Sequence, residues 1–421
     1  MNYNEGKFSL DEIVLFKTGY PFKSSELSDY GNFKVIKIKE IKSNKIALTH
    51  DTQSYNGFIT KRIENSIVNY NDIVVALTGD PVNKGNTDTW VGRSAIYKES
   101  KPALLNQRLV IVEPNQEKID KMFLYYLLIS KDISYGLAST AKGSANQANI
   151  SHKDIGKFKV NIPEMAFQKV IANILSSLDD KIELNNKINK NLEELAQTLY
   201  KQWFVDFEFP NEDGEPYKSS GGEMVESDLG LIPKGWSVLT LDELVVKSST
   251  KTNPDSNEKL IDMANMPSYS IALNSFDNGD KLSTNTYKMK KFSFLYGSIR
   301  PYLGKFGIAP FDGITTGTIH NFNVNNNSDY SLVATTVFST KFNEFCIKLS
   351  HGTKMPTIKW DDFVSYTVIY SDEVSYKFNK IVIVIFEQIV NNVLENAKLS
   401  KTRDELLPKL MSGEIDLPIE E

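Results

Sequence analysis

Several polar loops of this sequence hold side chains that could bind a nucleic acid. Lysine and arginine contact backbone phosphates or pair with guanine, and asparagine and glutamine pair bidentately with adenine in the major groove. In the first 163 residues, the candidate DNA-binding residues are Lys17, Tyr20, Lys23, Asn83, Lys84, Arg93, Asn146, Gln147, His152 and Lys153. Further along the chain, they are Lys247, Lys251, Arg300, Tyr302, Lys305 and Lys354. As sets, these loops predict contacts with bases and phosphates; for each residue alone, an ordinary solvated loop position is the alternative.

No pattern in the sequence predicts catalysis. The G-x-x-x-x-G-K-S/T motif of nucleotide hydrolases is absent, as are the glycine-rich loop and the Asn/Asp-Pro-Pro-aromatic motif that a methyltransferase would need. The single cysteine, Cys346, excludes an internal disulfide framework and a cysteine-cluster metal site, and the four histidines form no H-x-x-x-H pair. We therefore expect a binding and scaffolding protein and not an enzyme.

The charge of the chain is unevenly distributed. The 421 residues have a formal net charge of −5, which by itself argues mildly against nucleic-acid binding. Residues 1–163, however, contain 22 lysine and arginine residues against 17 aspartate and glutamate residues. DNA binding depends on local basic surface and not on whole-chain charge, so this block permits it, although chance scatter would explain the same excess.

A duplicated unit organises the chain. Residues 9–14 (SLDEIV) recur as residues 240–245 (TLDELV), and the order Gly-Ser, Ile, Asp within 143–154 recurs as Gly-Thr, Ile, Asp within 352–362. Matches in the same order along the chain indicate two copies of one unit. The predicted divisions are a first mixed domain (1–163), a first helix (164–210), a polar linker (211–233), a second mixed domain (234–370), and a second helix with the C-terminal tail (371–421).

Each mixed domain is followed by a long helix. From residue 168 to 203 there is no glycine or proline, and apolar residues recur at alternating steps of four and three, which is coiled-coil spacing. Asn185 and Asn189 occupy core positions of this series, and Asn392 and Asn396 occupy core positions of the second helix. Polar residues at such positions fix register at a cost in stability. We therefore predict that the helices pack against each other antiparallel; an ordinary helical hairpin within one domain is the alternative.

The expected fold class is α+β, with two pseudo-symmetric mixed α/β domains separated by two long antiparallel coiled-coil helices. Short apolar runs between turn residues, such as 72–77 and 108–112, predict irregular, mainly antiparallel β-structure in these domains. Apolar runs such as residues 381–386 are too short to span a bilayer, so we expect no membrane partner. No secretion signal is recognisable at residues 1–10, which predicts a cytoplasmic location.

The whole pattern resembles the specificity subunit of type I restriction–modification systems. The specific matches lie in the helical regions, at residues 178–185 (LDDKIELN), 203–206 (WFVD) and 403–415 (RDELLPKLMSGEI). The resemblance covers the full length as variable domain, conserved helix, variable domain, conserved helix. The two mixed domains carry only generic marks of the family.

The resemblance implies a non-catalytic subunit that recognises double-stranded DNA and that itself binds no metal, nucleotide or methyl donor as a cofactor. Each mixed domain would be a target recognition domain that reads one half of a split, asymmetric site, and the helices would set the distance between the halves. The helices would also dock two modification (methyltransferase) subunits, which carry S-adenosylmethionine, and restriction subunits would join that complex. The main alternative is a coiled-coil scaffold or inhibitor that holds partner proteins without contacting bases; an enzyme with an unrecognised site is the third.

Overall fold

The computed structural model describes residues 6–42, 44–49, 51–83, 89–144, 147–253, 257–279 and 286–417. The chain divides into two compact units. Unit 1 comprises Met1–Asp179 and Lys401–Glu421, and unit 2 comprises Asp180–Ser400. Both long helices therefore contribute residues to both units, so the boundary between the units falls within the helices. The sequence instead predicts domain boundaries at the ends of the helices.

The chain up to the linker contains sixteen strands and six helices in its described part. The strands are β1 (Gly6–Ser9), β2 (Val14–Thr18), β3 (Leu27–Ser28), β4 (Phe33–Ile36), β5 (Ile41–Lys42), β6 (Lys45–Ile46), β7 (Ser54–Tyr55), β8 (Ile67–Val68), β9 (Ile73–Ala76), β10 (Thr78–Gly79), β11 (Ser94–Ile96), β12 (Ala103–Leu105), β13 (Leu109–Pro114), β14 (Lys142–Ser144), β15 (Gln147–Asn149) and β16 (Lys159–Ile162). The helices are α1 (Leu10–Ile13), α2 (Lys61–Glu64), α3 (Lys121–Ile129), α4 (Lys131–Thr140), α5 (His152–Gly156) and α6 (Met165–Tyr200).

The remaining elements repeat this order with fewer strands. The strands are β17 (Met224–Ser227), β18 (Gly230–Pro233), β19 (Ser237–Thr240), β20 (Val245–Lys247), β21 (Lys251–Thr252), β22 (Lys259–Ile261), β23 (Asp277–Asn278), β24 (Thr286–Met289), β25 (Phe294–Gly297), β26 (Phe306–Ile308), β27 (Gly313–Thr316), β28 (Ile319–Val324) and β29 (Thr367–Tyr370). The helices are α7 (Leu241–Leu244), α8 (Tyr330–Val337), α9 (Thr340–Leu349), α10 (Trp360–Val364) and α11 (Asp372–Met411).

Mixed sheets form the centre of each unit. Unit 1 holds a six-stranded sheet in the order β2-β13-β9-β11-β6-β5 and a five-stranded sheet in the order β3-β7-β4-β12-β8. Unit 2 holds a four-stranded sheet, β20-β28-β25-β26, and a five-stranded sheet, β21-β24-β27-β22-β23. Most pairings are antiparallel, but β11 runs parallel to β6, β12 to β4 and β22 to β27. The α+β class predicted from the sequence is confirmed.

The internal repeat is also confirmed, because both copies begin with the same helix-capping arrangement. Ser9 precedes the four-residue helix α1, and its backbone amide donates to Glu12 Oε2 at 2.6 Å. Thr240 precedes α7 and donates in the same way to Glu243 Oε2 at 2.7 Å. This is half of a capping box, in which a glutamate satisfies an orphan amide at a helix start. In each copy the preceding strand pairs antiparallel with the strand that leads into the long helix, β1 with β16 and β19 with β29.

The long helices pack antiparallel in unit 2, as their sequence pattern predicts. Asn189 lies opposite Asn392, and further along, Trp203 lies opposite Phe378, with ring centroids 5.5 Å apart. Helix α6 continues through a π-helical turn, Lys201–Val205, which carries Trp203 into the core of unit 2. Pro408 lies inside α11, which continues for three residues to Met411 although the proline predicts a kink or an end there. In the described residues, no helix is both long and apolar enough to cross a bilayer.

Candidate nucleic-acid interface

A small three-stranded sheet brings two of the predicted loops of unit 1 together. Strand β15 lies between β10 and β14, and Thr78 stands opposite Asn149 in the register. The Thr78 hydroxyl donates to Asn149 Oδ1 at 2.9 Å, and the Ile150 amide donates to the Leu77 carbonyl at 2.9 Å. The loop after β10, which carries Asn83, therefore meets the segment that carries Gln147. Both Asn83 and Gln147 are exposed.

Helix α5 places a second pair of candidates beside this junction. Ser151 caps the helix, since its hydroxyl accepts from the Asp154 amide at 3.1 Å, so His152 and Lys153 stand in the first turn. The His152 ring lies 6.1 Å from the ring of Phe16, the residue before Lys17. Lys17 pairs with Glu113 at 2.8 Å, with both side chains 45% exposed. An exposed pair of this kind contributes little stability and can exchange its partner for a phosphate.

Unit 2 repeats the junction with isolated bridges in place of named strands. Thr357 pairs with both Ile299 and His351, as β15 pairs with both β10 and β14. Arg300 follows directly and is exposed, with a left-handed backbone at φ 49°. Such a conformation is costly for a side chain other than glycine and is concentrated at functional sites. Its amide donates to the Pro356 carbonyl at 2.6 Å, which joins the arginine to the 351–357 loop.

Three further candidates of unit 2 surround Arg300 or the start of α10. Tyr302 is 49% exposed, and Lys354 is exposed in the 351–357 loop. The Lys247 ammonium group lies 5.2 Å from the ring centroid of Trp360, the first residue of α10. Trp360 thus has the position in unit 2 that His152 has in unit 1. The same constellation of loop, junction and short helix is therefore present in both units.

Some of the predicted residues are placed elsewhere. Tyr20 packs on Phe22 with ring centroids 4.9 Å apart, Lys23 is exposed before a 3-10 turn, and Lys251 lies on β21 in the five-stranded sheet. None of these three lies on the junction strands. Lys84 and Asn146 lie outside the described residues.

Arg93 and Lys305 use their donors within the fold. Arg93 is 8% exposed, and its guanidinium donates to the carbonyls of Thr89 and Ile38 at 2.6 and 3.1 Å. Lys305 donates from Nζ to the Met266 carbonyl at 2.5 Å. Arg93 is buried and Lys305 is half-buried, and both satisfy carbonyls within the fold, so we leave both residues out of the proposed DNA contacts.

Sequence reasoning missed Asn149 and Trp360 as site residues. Each lies close to one of two equivalent buried isoleucines: Asn149 directly precedes Ile150, which is 4% exposed, and Trp360 lies two residues after Ile358, which is not exposed at all. The signal was present, because the sequence repeat aligns these two isoleucines, and the residues around them therefore occupy equivalent positions. The contacts themselves depend on pairing between segments some 60 to 70 residues apart, as for Thr78 and Asn149 at a separation of 71.

A buried histidine supports the junction of unit 2. His320 is 8% exposed, its Nε2 lies 3.0 Å from the Ile358 carbonyl, and its ring contacts Trp360 at 5.4 Å between centroids. Burial lowers the pKa of His320 to about 4, against the weaker raising effect of the Ile358 carbonyl, and Lys247 lowers it further. The neutral ring is therefore the form that the fold selects.

We expect this histidine to weaken unit 2 in acid. The unfolded chain binds the proton with a pKa of about 6.5 and the folded chain only near 4, so stability is lost as the pH falls through that window, by about 3 kcal/mol in total. Urea unfolding followed by tryptophan fluorescence at pH 7 and pH 5 measures the loss. A His320→Gln variant should show a smaller difference between the two pH values. An equal difference in both proteins would contradict the assignment.

A second surface lies along the helices of unit 2. The asparagines form hydrogen bonds across the packed interface between α6 and α11: Asn392 Nδ2 donates to Asn189 Oδ1 at 2.7 Å, and Asn185 Nδ2 donates to Asn396 Oδ1 at 2.9 Å. All four are between 0% and 5% exposed. Large apolar residues nevertheless face solvent on both helices, at 47% to 55% exposure; they are Leu184, Leu195, Val205, Tyr376, Ile381 and Val384. Apolar residues along exposed helix faces are typical of sites that bind partner helices.

Comparison with known proteins agrees with this architecture. A family model described as the type I restriction modification DNA specificity domain matches residues 4–194. The MjaIX specificity subunit of Methanocaldococcus jannaschii is 29% identical over 77% of this chain and 75% of its own length. The HindI specificity subunit of Haemophilus influenzae is 26% identical over 74% and 81%. The crystal structure of a type I S subunit from M. genitalium shares the fold, with a TM-score of 0.56 and 16% identity over 99% and 98% of the chains.

Proposed function

We propose that the chain is a specificity subunit of a type I restriction–modification system, and that it recognises a bipartite, asymmetric DNA sequence within a methyltransferase and endonuclease complex. The observation that carries this proposal is the repeated junction, which presents amide, imidazole and ammonium groups in unit 1 and guanidinium, phenol and ammonium groups in unit 2. One junction per unit supports one half-site per unit. The spacing between the half-sites stays a prediction.

The side chains of the two junctions suit different tasks. In unit 1, Asn83, Gln147 and Asn149 can each offer a donor and an acceptor to adenine, while Lys17 and Lys153 can neutralise phosphates. In unit 2, Arg300 can pair bidentately with guanine, Lys247 and Lys354 can contact phosphates, and Tyr302 can pack on the sugar–phosphate backbone. The two sets differ in chemistry, so the proposed halves of the site differ in sequence.

The half-sites should be separable by exchanging domains. We expect that replacing residues 1–163 by those of a relative with a known, different target changes one half of the recognised sequence and leaves the other intact. Methylation-sensitive sequencing of the host genome reads both halves. Arg300→Ala is the matched point change for the other half of the site. It should relax the sequence preference there and cost about 1–3 kcal/mol of binding free energy at one base pair. Lys354→Ala should instead weaken binding to all DNA sequences alike. Changes in both halves after the domain exchange would exclude independent reading.

We further propose that the chain does no catalysis and holds no cofactor for it, and that two modification subunits, which hold S-adenosylmethionine, dock on the helices, with restriction subunits joining them in the cytoplasm. The exposed apolar residues of both helices support docking. A scaffold or inhibitor without base contacts would share this surface, but it would show no sequence preference in the experiment above.

Docking should fail when the helix face is made acidic. We expect Ile381→Asp combined with Val384→Asp to weaken binding of the modification subunit at least tenfold, because both side chains are about half exposed and would be buried on docking. Asn391→Asp, at an exposed position of the same helix, is the control and should bind normally. Co-purification from cells and titration calorimetry measure the difference. Retained binding by the double variant would place the docking surface elsewhere.

A further inference from the structure

A cavity of about 950 Å³ lies within unit 1, away from the junction residues. Four elements form its wall: the paired strands β1 and β16, the turn between β5 and β6, the α3–α4 connection, and the last turns of α11. The volume lies in the range of about 300–1,000 Å³ that small-molecule sites occupy. Nothing in the proposed DNA recognition uses this cavity.

The cavity is strongly basic. Lys7, Lys45, Lys131 and Lys159 line it, and none of them forms an ion pair within the described part of the chain. Arg403 also lines it but is engaged by Asp179 at 2.6 Å and by Asp404 at 2.8 Å. Two carboxylates line the cavity. Asp404 pairs with Arg403, so among the described residues Asp132 is the lining carboxylate that does not pair with this arginine. Uncompensated ammonium groups around one concave volume favour a ligand with several negative charges.

The first turn of α4 adds amide donors to this wall. Ser130, which precedes the ten-residue helix, donates its hydroxyl to the Leu127 carbonyl at 2.7 Å and caps no amide. The first amides of a helix have no acceptor within it and favour an anion. Here they lie in the same wall as Lys131, so they supplement the lysines.

The remaining wall is apolar or offers neutral hydrogen-bonding groups. Leu127, Ile133, Leu407 and Met411 line the cavity with Asn44 and Asn161. Asn44 is held in place, because its carbonyl accepts from the Tyr125 hydroxyl at 3.0 Å. A simple inorganic anion would leave the apolar wall uncovered, whereas a planar base and a sugar would cover it and could use the amides.

We propose that this cavity binds a nucleoside di- or triphosphate. The four lysines come from β1, β16, β6 and α4 and line one volume, which suits charges concentrated on adjacent phosphates. The carboxylates of an acidic peptide are spaced along a chain and would need a line of cations. Binding here is independent of DNA recognition and persists if the proposed half-site reading fails.

Titration calorimetry on the full chain with ATP, GTP and pyrophosphate tests the site. We expect one nucleoside triphosphate per chain, bound at least tenfold more tightly than pyrophosphate, and at least tenfold more weakly by a variant with Lys131→Ala and Lys159→Ala. The control variant, Lys61→Ala with Lys169→Ala, removes two exposed lysines of unit 1 outside the cavity and should bind normally.

Several results would overturn this assignment. They are no binding of either nucleotide at millimolar concentration, equal affinity for ATP and pyrophosphate, or an equal loss in the control variant. Displacement of ATP by one equivalent of duplex DNA would make the cavity part of the DNA interface instead, and tighter binding of an acidic peptide than of ATP would make it a protein-docking site.

Discussion

An Arg403→Ala variant is expected to lose about 3 kcal/mol of local stability in the part of unit 1 that contains the end of α11, because it leaves a largely buried carboxylate without its cation. Arg403 Nη1 donates to Asp179 Oδ1 at 2.6 Å, with side chains only 22% and 13% exposed. The other oxygen of Asp179 accepts from the Tyr126 hydroxyl at 2.8 Å. Burial and the neighbouring Asp179 raise the pKa of Tyr126, so this hydroxyl stays a donor at all physiological pH values.

Hydrogen exchange on the full chain measures this loss. The amides of α3 and of the last turns of α11 should exchange about a hundredfold faster, since each 1.4 kcal/mol corresponds to a factor of roughly ten. The control is Lys401→Ala, which removes a Lys401–Glu405 pair at 3.8 Å whose side chains are 78% and 65% exposed and which contributes little.

A double variant separates the charge effect from lost packing. Asp179→Leu combined with Arg403→Met removes both charges, and we expect it to exchange more slowly than Arg403→Ala, because apolar pairs often replace buried ion pairs without loss. If the double variant is as destabilised as the single one, packing of the long arginine side chain would be the cause, and the ion pair would have no special role.

The helices could be predicted from the sequence because one local rule governs them over many turns. Apolar residues at steps of three and four place Leu192, Ala196 and Leu199 on one stripe, and all three pack in the core of unit 2. The asparagines at the same spacing could likewise be placed on the seam. The helix ends were less predictable: α6 begins at Met165 and passes into a π-helical turn that positions Trp203.

The site could be predicted only as a set of loops. Whether a loop cation faces solvent depends on segments far away in the chain, as Arg93 shows by donating to the Ile38 carbonyl 55 residues earlier. Arg300 and Arg93 look alike in the sequence, since both stand in polar loops next to a β-strand. Backbone pairing determines whether each side chain is exposed: the Arg300 amide donates to the Pro356 carbonyl, and the Arg300 side chain stays exposed. The periodicity and composition of the sequence do not show which distant backbone segments pair in this way.

Asn392→Leu is expected to destabilise the helix pair of unit 2, although leucine is the more usual residue at a coiled-coil core position. The Asn392 amide donates to Asn189 Oδ1 at 2.7 Å, and its own oxygen accepts from Gln388 Nε2 at 2.7 Å. Removing it leaves Asn189, which is 2% exposed, without that donor. A buried polar group left unsatisfied costs about 1–3 kcal/mol, which exceeds what the added apolar side chain contributes in a site shaped for an amide.

The double variant Asn189→Leu with Asn392→Leu should regain the lost stability, because both members of the pair become apolar. Hydrogen exchange of the α6 and α11 segments within residues 180–200 and 385–400 reports the stability of each variant. Asn191→Leu, at an exposed position of α6, should change little.

The register of the two helices is measured separately by carbodiimide cross-linking of Lys181 to Glu395, whose charged atoms lie 3.3 Å apart. If the double variant is stable but cross-links Lys181 to other carboxylates as well, the asparagines specify register at the expense of stability, as polar core residues do in coiled coils. If the double variant is less stable than either single one, the asparagine pair itself would be stabilising, and its proposed role in register would lose its physical basis.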